Sequence, residues 1–350
     1  MIESKSTWLE FLEKQGAIFT APEVTGINGF EGNPLGERPV DNFVAPLPDL
    51  GLISASGEDA ATFLHSQLTN DIEHMGNAEA RLAAYCSPKG RMLASLLIWK
   101  TSDGFMLQLP RQIQAAVQKR LQMYVLRSKV KLTDASSLFA PMGLAGETAL
   151  QVLENRFDNI PVQAYAKVDG THGTLIRLPD AGKLPRYQWI ASNEIAQNVW
   201  AELAGSLKPV GTTFWRLGDI KAAIPVITQP TQDQFVPQMI NFEAIGGINF
   251  KKGCYPGQEI VARTQYLGKL KRRMLPASVP SNQAKAGMEV FSSADPAQPC
   301  GMIVNAEPSG PDQADCLVEI KRAALEEGSV HLGAADGPVL SFHPLPYPLN

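Results

Sequence analysis

Gly247-Ile248-Asn249-Phe250-Lys251-Lys252-Gly253-Cys254-Tyr255-Pro256-Gly257-Gln258-Glu259-Ile260-Val261-Ala262-Arg263 is the stretch on which the reading of this chain turns. Its seventeen residues hold one thiol, two lysines, three glycines, a carboxylate and an arginine. A plain core element would carry a hydrophobic period of about 2 or 3.6 throughout. Here such a period begins only after Pro256, with Ile260, Val261 and Thr264 at i, i+1 and i+4. Proline suits the first turn of a helix, which has no use for its missing N–H, and glycine suits the exit. The stretch therefore reads as a loop over 251–255 feeding a helix over about 256–267, closed by Gly268.

Cys254 stands just ahead of that helix. A thiol there meets the positive end of the macrodipole and several unpaired backbone N–H groups. Lys251, Lys252 and Arg263 are near in sequence, and cations further favour the thiolate. The alternative is a small packed hydrophobe, a common fate of free cysteine. The flanking Lys-Lys-Gly and Pro-Gly-Gln-Glu favour a functional thiol.

Outward from this stretch, the 350 residues have room for two or three domains. A hydrophobic content of 44% and a charged content of 19% are those of an ordinary globular protein. The formal charge of −4 offers no global attraction to nucleic acid or acidic membranes. Cys86, Cys254, Cys300 and Cys316 form no C-x-x-C pair and no zinc-ligand spacing, so no metal site is expected, and free thiols imply a reducing compartment. The first residues lack an apolar secretory region, and the most apolar run, 92–99, is far shorter than the about 20 residues a membrane helix needs. A cytoplasmic location is the expectation.

In chain order, 7–15 reads as a short amphipathic helix, and 21–48 as a connector rich in Pro22, Gly26, Gly29, Gly32, Pro34, Gly36, Pro39, Pro46 and Pro48. From Leu50 the texture changes to strand, helix, three strands, helix and strand. Ser56-Gly57-Glu58-Asp59 reads as a capping box for the first of these helices. The second, over 112–127, would bury Ile113, Ala116, Val117, Leu121, Tyr124 and Val125. Gly146-Glu147-Thr148-Ala149-Leu150 echoes Gly57-Glu58-Asp59-Ala60-Ala61, each opening a helix after an apolar strand, and the elements that follow recur in order. This points to a duplicated α+β unit. After Arg273 the helical period vanishes, and short strands separated by Pro, Gly and Asp suggest a small antiparallel barrel or sandwich.

Lys252-Gly253-Cys254-Tyr255-Pro256-Gly257-Gln258-Glu259, with Arg263 four residues on, resembles the K-G-C-Y-x-G-Q-E-x-x-x-R motif of the YgfZ-type folate-binding proteins, relatives of the glycine-cleavage aminomethyltransferase (T-protein). Phe235-Val236-Pro237-Gln238, Asn241 and Gly246-Gly247-Ile248 match the same family's lead-in, and the resemblance spreads more weakly from about Leu50 to the C-terminus. It implies an α+β fold: two related α+β subdomains (about 49–135 and 136–210, completed by 211–273) around a central folate-sized pocket, plus a small C-terminal antiparallel β-barrel over 274–350.

The T-protein carries adjacent aspartates in a strand that aligns here with Ala94 and Ser95, so aminomethyl transfer is not expected. A W-R…I-x-A-G-I-P segment lining the family's folate pocket reads here Trp215-Arg216 to Ile224-Pro225, with Lys221 where many relatives have Glu and Ala223 in place of Gly. A folate needs a flat, largely apolar slot with a few polar groups, and cations for its anionic glutamate tail. Lys251, Lys252 and Arg263 are the tail candidates, with Arg91 and Arg127 behind them. Trp215, Gln238, Asn241, Tyr255, Gln258 and Glu259 complete the expected cofactor-binding set, and Cys254 is the expected functional thiol. The basic run around Lys269, Lys271, Arg272 and Arg273 reads as a charged helix exit rather than a nucleic-acid surface. The implied role is a tetrahydrofolate-binding accessory to assembly or repair of iron–sulfur enzymes, including tRNA-modifying ones. Against it stand a folate-dependent one-carbon transferase and a folate-independent thiol enzyme, which would need a His or Asp close to Cys254.

Overall fold

The computed structural model describes residues 6–20, 26–31, 41–266 and 270–349. The chain opens with α1 (Thr7–Lys14), capped by the Ser6 side chain, then β1 (Ala17–Phe19), β2 (Ile27–Phe30) and β3 (Phe43–Pro46). The first repeat follows: β4 (Leu50–Ser56), α2 (Ala60–Gln67), β5 (Ala80–Cys86), β6 (Met92–Thr101), β7 (Gly104–Pro110), α3 (Arg111–Gln122) and β8 (Lys131–Asp134). The second is β9 (Phe139–Ala145), α4 (Glu147–Glu154), β10 (Lys167–Gly170), β11 (Gly173–Ala181), β12 (Leu184–Ser192), α5 (Asn193–Ser206) and β13 (Lys208–Pro209). The two sheets run β5-β6-β7-β4-β8 and β10-β11-β12-β9-β3-β13. They share one strand order, except that β3 is inserted between β9 and β13.

Both repeats turn from strand to helix on a glycine, and both glycines are obligatory. Gly57 has φ +115° and Gly146 φ +101°; a Cβ would lie 2.1 Å from the Lys129 carbonyl oxygen at the first and 2.0 Å from that of Asp41 at the second. The echo in the sequence is therefore a shared backbone turn. The capping box does not form. Ser56 ends β4, and Asp59 is the N-cap of α2 without a capping bond. Its carboxylate instead accepts from the Lys129 N–H at 2.7 Å, pinning the loop that returns to β8.

The 21–48 segment is more than a connector. β2 pairs with β1, and β3, buried at all four positions, pairs antiparallel with β9 and parallel with β13. Phe43 and Val44 supply the apolar side chains that draw it into the sheet. Pro22, Gly32, Pro34, Gly36 and Pro39 lie outside the described residues. Helix α3 is shorter than its pattern: it stops at Gln122, leaving Met123, Tyr124 and Leu126 exposed, and Ala116 faces solvent. Gln114, not Ala116, completes the buried face, because it donates to the Leu52 carbonyl.

Each sheet has a helix-covered outer face. Phe63, Leu64, Ile113 and Val117 of α2 and α3 pack on the first sheet. Ala149, Val152, Trp200 and Leu203 of α4 and α5, with Trp8 of α1, pack on the second. The inner faces share a core with α6 (Thr212–Lys221), joining Leu52, Leu82 and Leu97 to Ile176, Leu178 and Ile190. Two short 3-10 turns and α7 (Gln258–Tyr266) then lead into the C-terminal strands. These are β14 (Arg272–Val279), β15 (Glu289–Ser292), β16 (Asp295–Gly310) and β17 (Gln313–Lys321), followed by α8 (Ala324–Glu327), β18 (Val330–Leu332) and β19 (Ser341–Phe342). They form an antiparallel sheet in the order β18-β15-β16-β17-β14-β19. The sheet curls on itself: Leu340 N–H donates to the Val330 carbonyl at one edge while the next residues pair with β14 at the other.

Candidate functional site

Where the inner faces of the two sheets meet α6 and β16, a cavity of about 570 Å³ remains. Leu82, Leu97, Leu109, Leu178, Ile220 and Trp215 give it apolar walls. Polar groups enter from particular strands: Ser95 from β6, Gln108 from β7 and Gln188 from β12. The two glutamine amides bond each other across the sheets, with Gln108 Nε2 3.2 Å from Gln188 Oε1. Ser95 Oγ accepts from the Ile227 N–H at 2.9 Å, so it ties the segment after α6 to the sheet.

Trp215 is fixed from both sides. Gly143 lets its ring approach β9, since a Cβ there would be 2.3 Å from Trp215 Cε3. The Arg186 guanidinium lies 4.8 Å from the ring centroid, on a fully buried side chain that also donates to the Trp215 and Pro179 carbonyls and to Asp219 at 2.8 Å. Arg216, next in sequence, bridges Asp49 at 2.7 Å and Glu307 at 3.2 Å, clamping α6 to the C-terminal sheet. Burial raises the carboxyls of Asp219 and Glu307 above the ordinary range, against the opposing pull of Arg186 and Arg216. Burial also works against the charge on Arg216, but Asp49 and Glu307 outweigh it and hold the guanidinium above its usual value.

The Lys-Gly-Cys stretch forms a second locus. Gly257, at φ +81°, packs on Gly90 so closely that a Cβ would lie 2.4 Å from the Ser87 carbonyl oxygen and 2.7 Å from Gly90 Cα. That contact fixes where α7 begins. Lys252 Nζ donates to the Leu68 carbonyl at 2.8 Å and to that of His65, and lies 4.8 Å from the centroid of the buried Tyr255 ring. It thereby serves the C-terminal carbonyls of α2, which lack partners within the helix. Burial pulls the Lys252 ammonium down to about 8, offset in part by Asp71, Cys254 and Glu73. Cys254 is exposed; Cys86, Cys300 and Cys316 are buried.

Comparison with known proteins places both loci in one family. Residues 47–176 match the GCVT N-terminal domain. The chain is 32% identical over 309 residues to "tRNA-modifying protein YgfZ" of Enterobacter sp. (strain 638), covering 87% of this chain and 93% of that protein. The chain belongs to the YgfZ family. A second member, from Cronobacter sakazakii (strain ATCC BAA-894), is 33% identical over 230 residues, 65% of this chain and 68% of that one. The fold is that of the glycine cleavage system aminomethyltransferase T from Bartonella henselae, with a TM-score of 0.72 at 17% identity over 98% of this chain and 97% of that one. The mixed α/β architecture expected from the YgfZ-type motif is thus the one observed, with a curled antiparallel sheet where a small C-terminal β-barrel was expected.

Among the residues singled out by the family motifs, Trp215 lines the cavity, as do Arg216, Ile220, Ile224 and Pro225 of the same segment. Lys221 is exposed and outside the lining, so its departure from the family's Glu does not alter the wall. Ala223 has φ +51°, which explains why the family pattern has Gly there. Gln238 and Asn241 are fully buried clasps: Gln238 donates to the Val261 carbonyl of α7 and Asn241 to the Met274 carbonyl of β14, each at 2.8 Å. Lys251, Lys252 and Tyr255 lie in the loop that carries Cys254, and Gln258, Glu259 and Arg263 on α7 after it; none of them lines the cavity. Helix α7 begins at Gln258, two residues after Pro256; Leu267, Gly268 and Lys269 lie outside the described residues. Arg91 donates to the Gln234 carbonyl, Arg127 is exposed, and Arg272 and Arg273 are ion-paired with Glu319 and Glu243.

Several cavity groups escaped the sequence reading: Asp49, Gln108, Arg111, Gln188, Lys285 and Glu307. A signal existed for the glutamines, each the one amide in an apolar strand segment, Phe105-Met106-Leu107-Gln108-Leu109 and Tyr187-Gln188-Trp189. Among the described residues, no group of three or more His, Cys, Asp and Glu side chains is placed to hold a metal, and no helix is long and apolar enough to cross a membrane.

The lowered Lys252 ammonium has a measurable consequence. Its folded pKa of about 8 lies below the ordinary 10.5, so the unfolded chain binds the extra proton between those values and stability rises with pH across that window. The neutral amine still has two hydrogens for its two carbonyl acceptors. The stability of the native chain relative to a Lys252→Met variant is expected to increase from pH 8 to pH 10, read as the difference in urea midpoint. A difference that stays flat or shrinks over that range would exclude the burial of this charge.

Proposed function

We propose that this chain binds a reduced folate, tetrahydrofolate or a close relative, in the cavity between the two sheets, and works with the exposed Cys254 as an accessory to assembly or repair of iron–sulfur enzymes, including tRNA-modifying ones. The observation that carries the reading is the cavity itself, in a chain of this family. Its volume of about 570 Å³ falls in the range of small-molecule sites. Trp215 and the leucines offer a flat ring an apolar slot, and the Gln108–Gln188 amides offer donors and acceptors at its edge. The glutamate end would meet the cations that line this cavity, Arg111, Arg216 and Lys285, in place of Lys251, Lys252 and Arg263 of the motif stretch. Four free thiols fit work in a reducing, cytoplasmic setting.

A folate-dependent one-carbon transferase is the second reading, and one observation favours it. Asp49, Asp219 and Glu307 line the cavity although β6 carries only Ala94 and Ser95 at the positions aligned with the T-protein aspartates. All three carboxylates are held by Arg186 or Arg216, which suits them to structure more than to proton transfer. Titration of the purified chain with tetrahydrofolate, and with its polyglutamylated form, tests the first reading. Binding is expected for both, and affinity for the polyglutamylated ligand should fall more steeply with ionic strength, because salt screens exposed charge contacts. No binding would remove the folate reading, equal salt slopes would remove the tail site, and aminomethyl transfer from a lipoyl-bound donor would promote the transferase.

A further inference from the structure

Between Gly104 and Thr133 this chain has no Asp or Glu, in a sequence that carries 35 of them. The same stretch holds six cations: Arg111, Lys119, Arg120, Arg127, Lys129 and Lys131. Carboxylates from neighbouring elements reach two of these. Asp134 pairs with Arg111 at 2.9 Å, and Glu58 with Lys129 at 2.7 Å. Arg120 is half-buried. Lys119, Arg127 and Lys131 are exposed, and none has an ion-pair partner among the described residues. A chain with a formal charge of −4 thus keeps a concentrated positive surface over the end of α3 and the turn into β8.

Apolar side chains stand among these cations. Met123 is 59% exposed, Tyr124 44% and Leu126 88%, so three of the ten large apolar side chains exposed among the described residues fall within four positions. Leu126 also has φ +41°, in the left-handed region that a bulky side chain avoids. Val125 and Val130 pack against the core of the first sheet, and Ser128 N–H closes the turn between them on the Val125 carbonyl at 2.8 Å. Leu126 is presented to solvent from that turn, and the fold gains no burial from it in return for the strained backbone. On the solvent face of α3 and just beyond its end, Ala115, Gln118, Lys119, Gln122 and Met123 line a shallow, open depression at helical spacing.

We propose that the depression on α3 and the turn after it form a docking surface for an acidic amphipathic helix of a protein partner. Charge complementarity sets the partner's sign: carboxylates beside its apolar edge would meet Lys119, Arg127 and Lys131. The apolar side chains set its class. Met, Tyr and Arg are favoured in protein interfaces. Unbranched Met123 adapts to irregular neighbours, and a helix with apolar residues at i, i+3, i+4 and i+7 supplies the edge that covers it. Single-stranded nucleic acid would instead call for aromatic faces on which successive bases stack, and Tyr124 is the one aromatic residue between Arg111 and Thr133. Lys119, Met123, Tyr124, Leu126, Arg127 and Lys131 do not line the cavity between the sheets, so this surface and the folate reading can fail separately.

The probe is a fluorescein-labelled helical peptide with leucines at i, i+3, i+4 and i+7 and glutamates beside them, read by anisotropy against the full-length chain. Two controls carry the alternatives: the same leucines with lysine in place of glutamate, and a single-stranded RNA. The acidic peptide is expected to bind about tenfold or more tightly than either, with an affinity that falls as salt rises. Met123→Ser should weaken it about tenfold, as loss of an interface anchor does. Lys119→Glu combined with Arg127→Glu should reverse the order of the two peptides. Leu126→Gly relieves the left-handed backbone, so it should hold or raise the melting temperature while lowering affinity about tenfold. An acidic peptide that binds no better than its lysine counterpart, tighter binding of the RNA, or a Leu126→Gly variant that binds as the native chain does would each overturn the proposal. A native dimer in sedimentation that Leu126→Gly dissolves would give the surface to a second copy of this chain, and would overturn it as well.

Discussion

An Arg186→Leu variant is expected to lose about 3 kcal/mol of stability, because it leaves the partly buried Asp219 carboxylate without its partner and empties a fully buried position. Arg186 has no exposed surface, and its guanidinium meets Asp219, two backbone carbonyls and the face of Trp215. Helix α6 can approach it only because Gly218 has no side chain; a Cβ there would lie 2.4 Å from Arg186 Nη1. One residue of β12 therefore holds both the helix and the tryptophan that walls the cavity. Adding Asp219→Asn to Arg186→Leu should recover part of the loss, since the orphaned charge is then gone. Urea midpoints for the single and double variants, with intrinsic Trp fluorescence, measure both. A single variant within about 1 kcal/mol of the native chain would show that Asp219 is neutral in the folded state or reaches solvent without Arg186.

The fold was legible where local chemistry repeats itself, and illegible where distant segments meet. Gly57 and Gly146 could be matched because the same forbidden Cβ position recurs at the start of each repeat. β3 could not be placed, because four apolar residues in a glycine- and proline-rich segment become a strand only when β9 and β13 offer them edges. Ser56 and Asp59 have the spacing of a capping box, but the Lys129 N–H competes successfully for the Asp59 carboxylate, and that competitor is 70 positions away. The candidate sites divide in the same manner. Trp215 was marked by its motif, and it lines the cavity. Gln238, Asn241 and Lys252 were marked equally strongly, and their contacts are backbone carbonyls of neighbouring elements. A motif registers that a residue type is required, and the requirement can be a clasp as readily as a ligand.

The four cysteines should separate by roughly a thousandfold or more in alkylation rate, with Cys254 reacting alone in the native chain. Only the thiolate is nucleophilic. Burial pushes the thiols of Cys86 and Cys316 up to about 12 and raises that of Cys300 as well, so near pH 8 each is almost wholly protonated. Against an ordinary thiol pKa of about 8.5, a shift to about 12 alone lowers the thiolate fraction by roughly a thousandfold near neutrality. Two of these thiols are also engaged, Cys300 donating to the Val290 carbonyl and Cys316 to that of Ala277, each at 3.3 Å. Iodoacetamide at pH 8 followed by site assignment in a mass spectrometer should find label at Cys254, and at the other three only after denaturation. Raising the pH towards 10 should leave Cys86 and Cys316 protected, because burial holds their thiols up at about 12. Comparable early labelling of Cys86 would show that β5 opens locally and would remove the basis for the assignment. Because Cys254 is exposed, Cys254→Ala should change stability by no more than about 0.5 kcal/mol. A variant so little perturbed, still binding folate yet unable to support iron–sulfur enzymes in cells, would place this thiol in function; full support in cells would return it to the surface as an ordinary side chain.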